Sequence, residues 1–96
     1  MPAYVLAQID VEDESKYDAY KSAVPATIEQ YGGRYVVRGA TPEVLSGALE
    51  LPRVVLIEFP NVERARSWYH SDEYQAIAKL RTDASRGLLM ILDGVE

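Results

Sequence analysis

The side chains best suited to chemistry in this sequence are an arginine, a glutamate and a histidine. Arg38 can stabilise negative charge that develops on a carbonyl compound, and Glu58 or His70 can transfer protons. His70 is the single histidine, and it can also act as a haem axial ligand or simply lie at a helix end. Because the chain has no cysteine and no second histidine, it cannot form a multi-histidine or thiolate metal site within one subunit. We therefore predict no metal site and no cofactor.

Aromatic and basic side chains elsewhere are candidates for ligand binding. Trp68 and Tyr69 are adjacent in a predicted helix, so one is expected to pack inward while the other reaches a pocket mouth or a subunit contact. Arg81 lies near a helix end, where its charge either offsets the helix dipole or binds a ligand carboxylate. The predicted ligand-binding residues are Tyr4, Arg38, Glu58, Trp68, Tyr69 and Arg81.

Composition limits the class of protein. A chain of 96 residues with 48% hydrophobic and 26% charged residues fits one globular domain over residues 1–96. A net charge of −5 without a basic cluster argues against nucleic-acid binding. No apolar run approaches the ~18–20 residues that cross a bilayer, and the amino terminus lacks the features of a signal peptide. We expect a cytoplasmic protein that contacts neither nucleic acid nor membrane.

The spacing of apolar residues predicts elements in the order β-α-β-β-α-β, the split βαβ or ferredoxin-like pattern. Pro25 lies inside the first predicted helix and is expected to kink or interrupt it, and Gly32 is placed to end it in a left-handed conformation. Asn61 and Ser71 are predicted N-caps. Residues 43–52 form either a short edge strand or an open loop. The predicted strands cover 4–11, 34–38, 53–59 and 88–93.

An antiparallel sheet with helices on one face normally carries polar residues on its other face. Here the face that carries Tyr4, Leu6, Val54 and Leu56 is also apolar, and the last strand, 88–92, is apolar on both sides. Left bare, such a face would be a large apolar patch for a monomer. The simplest cover is the same face of a second copy, because two-fold dimers are the commonest oligomers. We therefore predict a homodimer.

Charged residues also fall on that second face. Matching the faces of two neighbouring strands places Arg34, Val36 and Arg38 opposite Glu58, Leu56 and Val54. Covered charges need partners, because an uncompensated buried charge is strongly unfavourable. The charges form either an Arg–Glu ion pair, at a rim or between subunits, or the polar mouth of a pocket between the sheets. Such a pocket would hold an anionic or carbonyl-bearing small molecule.

Four segments in the chain resemble one known family. They are Tyr31–Tyr35, Val37–Gly39, Val55–Pro60 and Trp68–Gln75, and the resemblance extends from Tyr4 to about Gly94. Together they resemble the bacterial family known as domain of unknown function 1330. The resemblance implies a ferredoxin-like dimeric α/β barrel, a superfamily that includes small monooxygenases, muconolactone-isomerase-like enzymes and haem-dependent members. It implies no particular activity.

From the residues and the resemblance together we expect an α+β, ferredoxin-like βαββαβ domain whose antiparallel sheet forms a dimeric α/β barrel. The expected function is that of a homodimer that binds a small molecule in a pocket between its sheet and its helices. The alternative is a cofactor-independent enzyme, of monooxygenase or isomerase type, that acts on a small carbonyl or aromatic compound. In that case Arg38 would stabilise charge, and Glu58 or His70 would transfer protons.

Overall fold

The sheet in the computed structural model, which describes residues 1–95, has four antiparallel strands in the order β2-β3-β1-β4. Buried residues of three helices pack on one of its faces. The strands are β1 (Ala3–Val11), β2 (Arg34–Ala40), β3 (Arg53–Phe59) and β4 (Ser85–Asp93). The helices are α1 (Glu14–Gln30), α2 (Val62–His70) and α3 (Asp72–Ala84). The α+β, ferredoxin-like fold predicted from the sequence is confirmed.

Each helix begins at a side chain that accepts a hydrogen bond from the first turn. Asp13 caps α1 by accepting from the backbone N–H of Lys16. The predicted caps are confirmed: Asn61 accepts from the N–H of Arg64 at α2, and Ser71 accepts from that of Tyr74 at α3. Ser71 both ends α2 and begins α3, so the two helices meet without a connecting loop.

Helix α1 runs without interruption through Pro25, so of the two predicted effects, a kink or an interruption, the interruption is wrong. Proline has no backbone N–H, which leaves the carbonyl of the residue four positions earlier, Lys21, without its helical donor. The guanidinium of Arg38 replaces that donor: its Nη2 lies 3.0 Å from the Lys21 carbonyl oxygen. The helix then ends as predicted, because Gly32 follows its C-cap with a positive φ of 80°.

The core lies between the helices and the alternate residues of β1 and β3. Trp68 is fully buried against the rings of Phe59 and Tyr74. Its indole Nε1 donates to the hydroxyl of Thr27 at 2.9 Å, so the polar atom of this core residue is paired. Within residues 1–95, every buried side-chain nitrogen or oxygen has a hydrogen-bond partner.

The register between β2 and β3 differs from the predicted one. Arg34 lies opposite Glu58 as expected, but a bulge follows and pairs Val37 with Leu56. Arg38 then faces Val55, so the prediction that it opposes Val54 is wrong. A bulge adds one residue to a strand and thereby reverses which face each later residue occupies. The side chain of Arg38 therefore lies on the helix side of the sheet.

Residues 41–52 form no strand, so the open loop is the correct one of the two predicted alternatives. The loop carries the most exposed large apolar side chain of the described residues, Leu45. It is fixed near its end, where Nη2 of Arg86 donates to the carbonyl of Glu50 at 3.4 Å. At the opposite end of the sheet the backbone N–H of Gly94 donates to the carbonyl of Pro2 at 2.8 Å.

The face of the sheet away from the helices, called here the open face, is largely apolar. Its most exposed apolar side chains are 37–46% accessible, namely those of Val36, Leu88, Met90 and Leu92. Tyr4, Leu6, Val54 and Leu56 lie half-buried between them.

In the described part of the chain, no helix is both long and apolar enough to span a bilayer.

Candidate functional site

A cleft of about 490 Å³ opens between the helices and the β4 edge of the sheet. Its floor is formed by residues of β1 and β4, and its wall by the end of α2 and by α3. The lining residues are Val5, Trp68, Tyr69, Arg81, Gly87, Leu89, Met90 and Ile91. The cleft is therefore apolar and aromatic apart from one guanidinium, as is typical of small-molecule sites.

Arg81 is 9% exposed, although it carries a full positive charge. The ion pairs found in residues 1–95 are Lys21–Asp18, Arg34–Glu58, Lys79–Asp83 and Arg86–Asp10, so none of them involves Arg81. Its position in the last turn of α3 gives partial compensation from the helix dipole. Compensation by a second charge is missing from the described chain, and an anionic ligand in the cleft would supply it.

The guanidinium of Arg81 is held from behind by two tyrosines. Its Nε donates to the hydroxyl of Tyr74 at 3.2 Å, and that hydroxyl is hydrogen-bonded at 2.9 Å to the hydroxyl of Tyr20 on α1. Burial lowers the pKa of Arg81, but its interactions with Tyr74 and other tyrosines outweigh burial and raise that pKa overall. Burial, reinforced by Tyr74, raises the pKa of Tyr20 far above its ordinary range. Arg81 and Tyr20 therefore keep their protons at neutral pH.

Trp68 and Tyr69 take different positions, as predicted for adjacent helical residues. Trp68 packs inward, and only its edge lines the cleft. Tyr69 is half-buried at the cleft wall and meets the ring of His70 edge-on, with 5.2 Å between ring centroids. His70 itself is exposed at the end of α2 and does not line the cleft.

The other predicted site residues lie elsewhere. Tyr4 and Glu58 are neighbours in the β1–β3 register on the open face, where Glu58 accepts from Nη2 of Arg34 at 2.6 Å. Arg38 lies on the helix side, with its guanidinium carbon 4.6 Å above the centre of the Tyr35 ring. The structure thus brings Trp68, Tyr69 and Arg81 together. It does not bring Arg38, Glu58 and His70 together.

A second, smaller cavity of about 30 Å³ lies between the sheet and α1. Arg38, Arg53, Tyr17 and Tyr35 line it, and Nε of Arg53 donates to the Tyr17 hydroxyl at 3.2 Å. A space of this size holds about one water molecule. It is too small for an organic ligand, so the open cleft is the better candidate site.

Sequence reasoning missed Tyr20 and Tyr74 as parts of the site. The spacing of seven residues between Tyr74 and Arg81 places both on one face of α3, which is a signal that the sequence contains. The contact between Tyr74 and Tyr20 is different, because it joins residues 54 positions apart and depends on how α1 packs on α3. Across residues 1–95, no three histidine, cysteine, aspartate or glutamate side chains are placed to hold a metal ion.

Comparison with known proteins identifies the family of this chain. A family model described as domain of unknown function (DUF1330) matches residues 2–95, almost the whole chain. The chain belongs to the DUF1330 family. The resemblance found in the sequence is thereby confirmed. No curated protein matches this DUF1330 chain.

Solved structures similar to this DUF1330 protein share its fold at low sequence identity. A protein of unknown function from Rhodopseudomonas palustris is 20% identical, with a TM-score of 0.79 over 99% of this chain and 83% of its own. A dimeric ferredoxin-like protein of unknown function from Jannaschia sp. CCS1 is 13% identical, with a TM-score of 0.67 over 98% of this chain and 100% of its own. SnoaB, a cofactor-independent oxygenase from Streptomyces nogalater, is 10% identical, with a TM-score of 0.67 over 99% of this chain and 94% of its own. At these identities the likeness concerns the fold alone.

Proposed function

We propose that this DUF1330 protein is a homodimer that binds a small organic anion with an apolar, aromatic body in the cleft beside β4. The observation that carries the proposal is the guanidinium of Arg81, which is 9% exposed and has no carboxylate partner in residues 1–95. A charged group this deeply placed favours an opposite charge beside it. The apolar side chains around it favour a ligand whose remaining surface is apolar.

The homodimer rests on the open face. Its apolar side chains, among them Val36, Leu88 and Met90, form a continuous surface in the described chain that a second copy would cover. Similarity of fold to the dimeric ferredoxin-like protein from Jannaschia sp. CCS1 supports this arrangement. In such a dimer Tyr4, Glu58 and Arg34 would lie at the subunit contact. The ligand cleft lies on the opposite, helix side of the sheet, so each subunit would carry its own site.

Thermal stabilisation by ligands tests the anion site. We expect 2-naphthoate to raise the unfolding temperature of the wild-type protein, because a ligand that binds only the folded state stabilises it. Arg81→Met keeps the apolar stem of the side chain but removes the charge, so it should abolish this rise. Arg66→Met, at an exposed position of α2 outside the cleft, is the matched control and should respond as the wild type does. Equal responses of the Arg81→Met and wild-type proteins would refute the proposal.

A second candidate is a cofactor-independent oxygenase. Its support is the fold shared with SnoaB and a guanidinium that would stabilise the anion of a phenolic substrate in an apolar cleft. The residues that line the cleft include no carboxylate and no imidazole, so no such group is placed there to take a proton from the substrate. For this reason binding without catalysis is the preferred function.

Oxygen uptake separates the two candidates. Anthrone is a suitable probe, since its oxygenation to anthraquinone consumes one O2, places one oxygen atom in the product and releases the other as water. Uptake above the uncatalysed rate with wild-type protein, lost in Arg81→Met, would establish the oxygenase candidate. Uptake at the uncatalysed rate, together with stabilisation by 2-naphthoate, would support the binding protein.

A further inference from the structure

The hydrogen bonds behind Arg81 define which of its atoms can meet a ligand. A guanidinium has five N–H donors, one of which is on Nε. Tyr74 accepts from that Nε at 3.2 Å, so the four N–H groups of Nη1 and Nη2 remain. None of these four donates to another residue within 1–95, and Arg81 lines the cleft. The edge that carries both Nη atoms presents two parallel donors, a geometry that matches the two oxygens of a carboxylate.

We infer that Tyr20 is a positioning residue of the cleft: acting through Tyr74, it fixes the Arg81 guanidinium so that its Nη edge selects a planar carboxylate. This inference rests on the proposed function, and it names the chemical group of the ligand and a residue that touches no ligand. Tyr20 belongs to α1, whereas Arg81 and Tyr74 belong to α3. Helix α1 therefore takes part in ligand selection from a position behind the cleft.

The packing around the two tyrosines explains why they can hold a flexible side chain. Tyr74 is completely buried, and its ring meets the Tyr20 ring edge-on at a centroid distance of 6.3 Å and an angle of 80°. Each ring is thus fixed by its neighbours, and the 2.9 Å hydrogen bond between the two hydroxyls holds the Tyr74 oxygen that accepts from Arg81. An arginine that is oriented before the ligand arrives loses less conformational freedom on binding. Removing the Tyr20 hydroxyl should therefore weaken carboxylate binding without reshaping the cleft.

The test compares a carboxylate with its neutral amide. Titration calorimetry would give the affinities of 2-naphthoate and 2-naphthamide, which share the same aromatic body. The wild-type protein should prefer the carboxylate. Tyr20→Phe should lower the affinity for 2-naphthoate about three- to tenfold, the effect of one hydrogen bond, and leave the affinity for 2-naphthamide unchanged. Tyr31→Phe removes a different hydroxyl of the α1 end, one that donates to Glu73 at 3.3 Å, and should leave both affinities unchanged.

The outcomes distinguish this inference from the proposed function. A wild-type protein that does not prefer 2-naphthoate over 2-naphthamide would overturn the proposed anion site. A wild-type protein with that preference, retained in full by Tyr20→Phe, would overturn only the role of Tyr20. If Tyr20→Phe lowered the affinity for both probes equally, the role of Tyr20 would also be overturned, because an equal loss would indicate a general change of the cleft.

A second measurement follows the guanidinium directly and needs no ligand. The Nε–H of Arg81 can be followed by nitrogen-15 NMR, and its exchange with solvent should be much slower than that of the exposed Arg66, because Tyr74 accepts its hydrogen bond inside the core. In Tyr20→Phe the exchange at Arg81 should accelerate. Equal exchange rates of Arg81 and Arg66 in the wild type would refute the fixed guanidinium.

Discussion

Arg38 donates a hydrogen bond of 3.0 Å to the carbonyl of Lys21, the carbonyl that Pro25 leaves without a helical donor. The contact joins β2 to α1, and it exists because the bulge in β2 turns Arg38 towards the helices. A residue that the sequence suggested for catalysis thus has a structural task in the described chain. It repairs the one backbone position of α1 that proline chemistry disrupts.

Arg38→Ala should therefore lower the free energy of unfolding by about 1 kcal/mol, the usual net value of such a hydrogen bond. Pro25→Ala restores a backbone N–H that bonds the Lys21 carbonyl. Arg38→Ala should then cost clearly less in the Pro25→Ala background than in the wild type. Urea unfolding of the four proteins in this double-mutant cycle measures the coupling. Strictly additive effects would contradict the repair of α1 by Arg38.

Position 39 in β2 is expected to tolerate only glycine. Gly39 has a φ of 76° and faces the Arg53 guanidinium. A Cβ at this position would meet the Arg53 side chain at less than van der Waals distance, so Gly39→Ala combines backbone strain with displacement of Arg53 from Tyr17. Gly47 is the matched control, since its φ is 94° and no atom lies within 4 Å of an added Cβ. We expect Gly47→Ala to lower the free energy of unfolding by about 1 kcal/mol, because alanine is strained in a left-handed backbone conformation. Gly39→Ala should cost more in the same unfolding assay, and equal costs would show that Arg53 moves freely.

The stability of the protein should fall in acid partly because of Asp13. Its hydrogen bonds from the Lys16 backbone and the Ser15 side chain lower the pKa of this carboxyl. A carboxyl with a lowered folded-state pKa stabilises the fold above its unfolded pKa, and this contribution disappears as the pH falls through the folded value. Asp13→Asn keeps a capping side chain without a titratable group. The variant should lose less stability than the wild type between about pH 5 and about pH 2 in thermal unfolding, and parallel pH profiles would exclude this role.

Leu56→Glu tests the proposed homodimer. The substitution places a charge in the middle of the open face, where a second copy would bury it at a cost of several kcal/mol (roughly). Sedimentation should report twice 10.7 kDa for the wild type and about 10.7 kDa for the variant, with helical content preserved. Ala76→Glu, on the exposed surface of α3, should remain dimeric. A wild-type particle of 10.7 kDa in dilute buffer would rule out the dimer.

Much of the fold follows from local chemistry in the sequence. The predicted limits of β3 agree with the structure because an apolar run ends at Pro60, and the caps Asn61 and Ser71 agree because their side chains bond the adjacent backbone. The bulge in β2 was not predicted, since it depends on pairing with β3 rather than on the strand itself. Gly39, with its positive φ, lies at a second register shift of β2, between Arg38 and Ala40, and not at the bulge before Val37.

In the candidate site, too, the features set by local sequence were predicted and those set by tertiary packing were not. Trp68, Tyr69 and Arg81 belong to neighbouring segments, and helix periodicity brings them to one cleft. Arg38 and Glu58 were grouped by strand parity and charge, whereas His70 was a candidate as the single histidine of the sequence. Grouping by parity fails when a bulge inserts one residue into a strand, and the bulge of β2 places Arg38 and Glu58 on opposite faces. The Tyr20–Tyr74 contact required the packing of two helices, for which the sequence gives no local signal.

The hydrogen bond between Gly94 and Pro2 means that the two ends of the described fold lie side by side. A short glycine-rich bridge would therefore connect them without disturbing β1 or β4. New termini opened at Gly47, in the exposed loop between β2 and β3, would then give a circularly permuted chain that begins with β3 and finishes with β2. The order in which strands emerge during synthesis would change, while the finished sheet would keep the same neighbours.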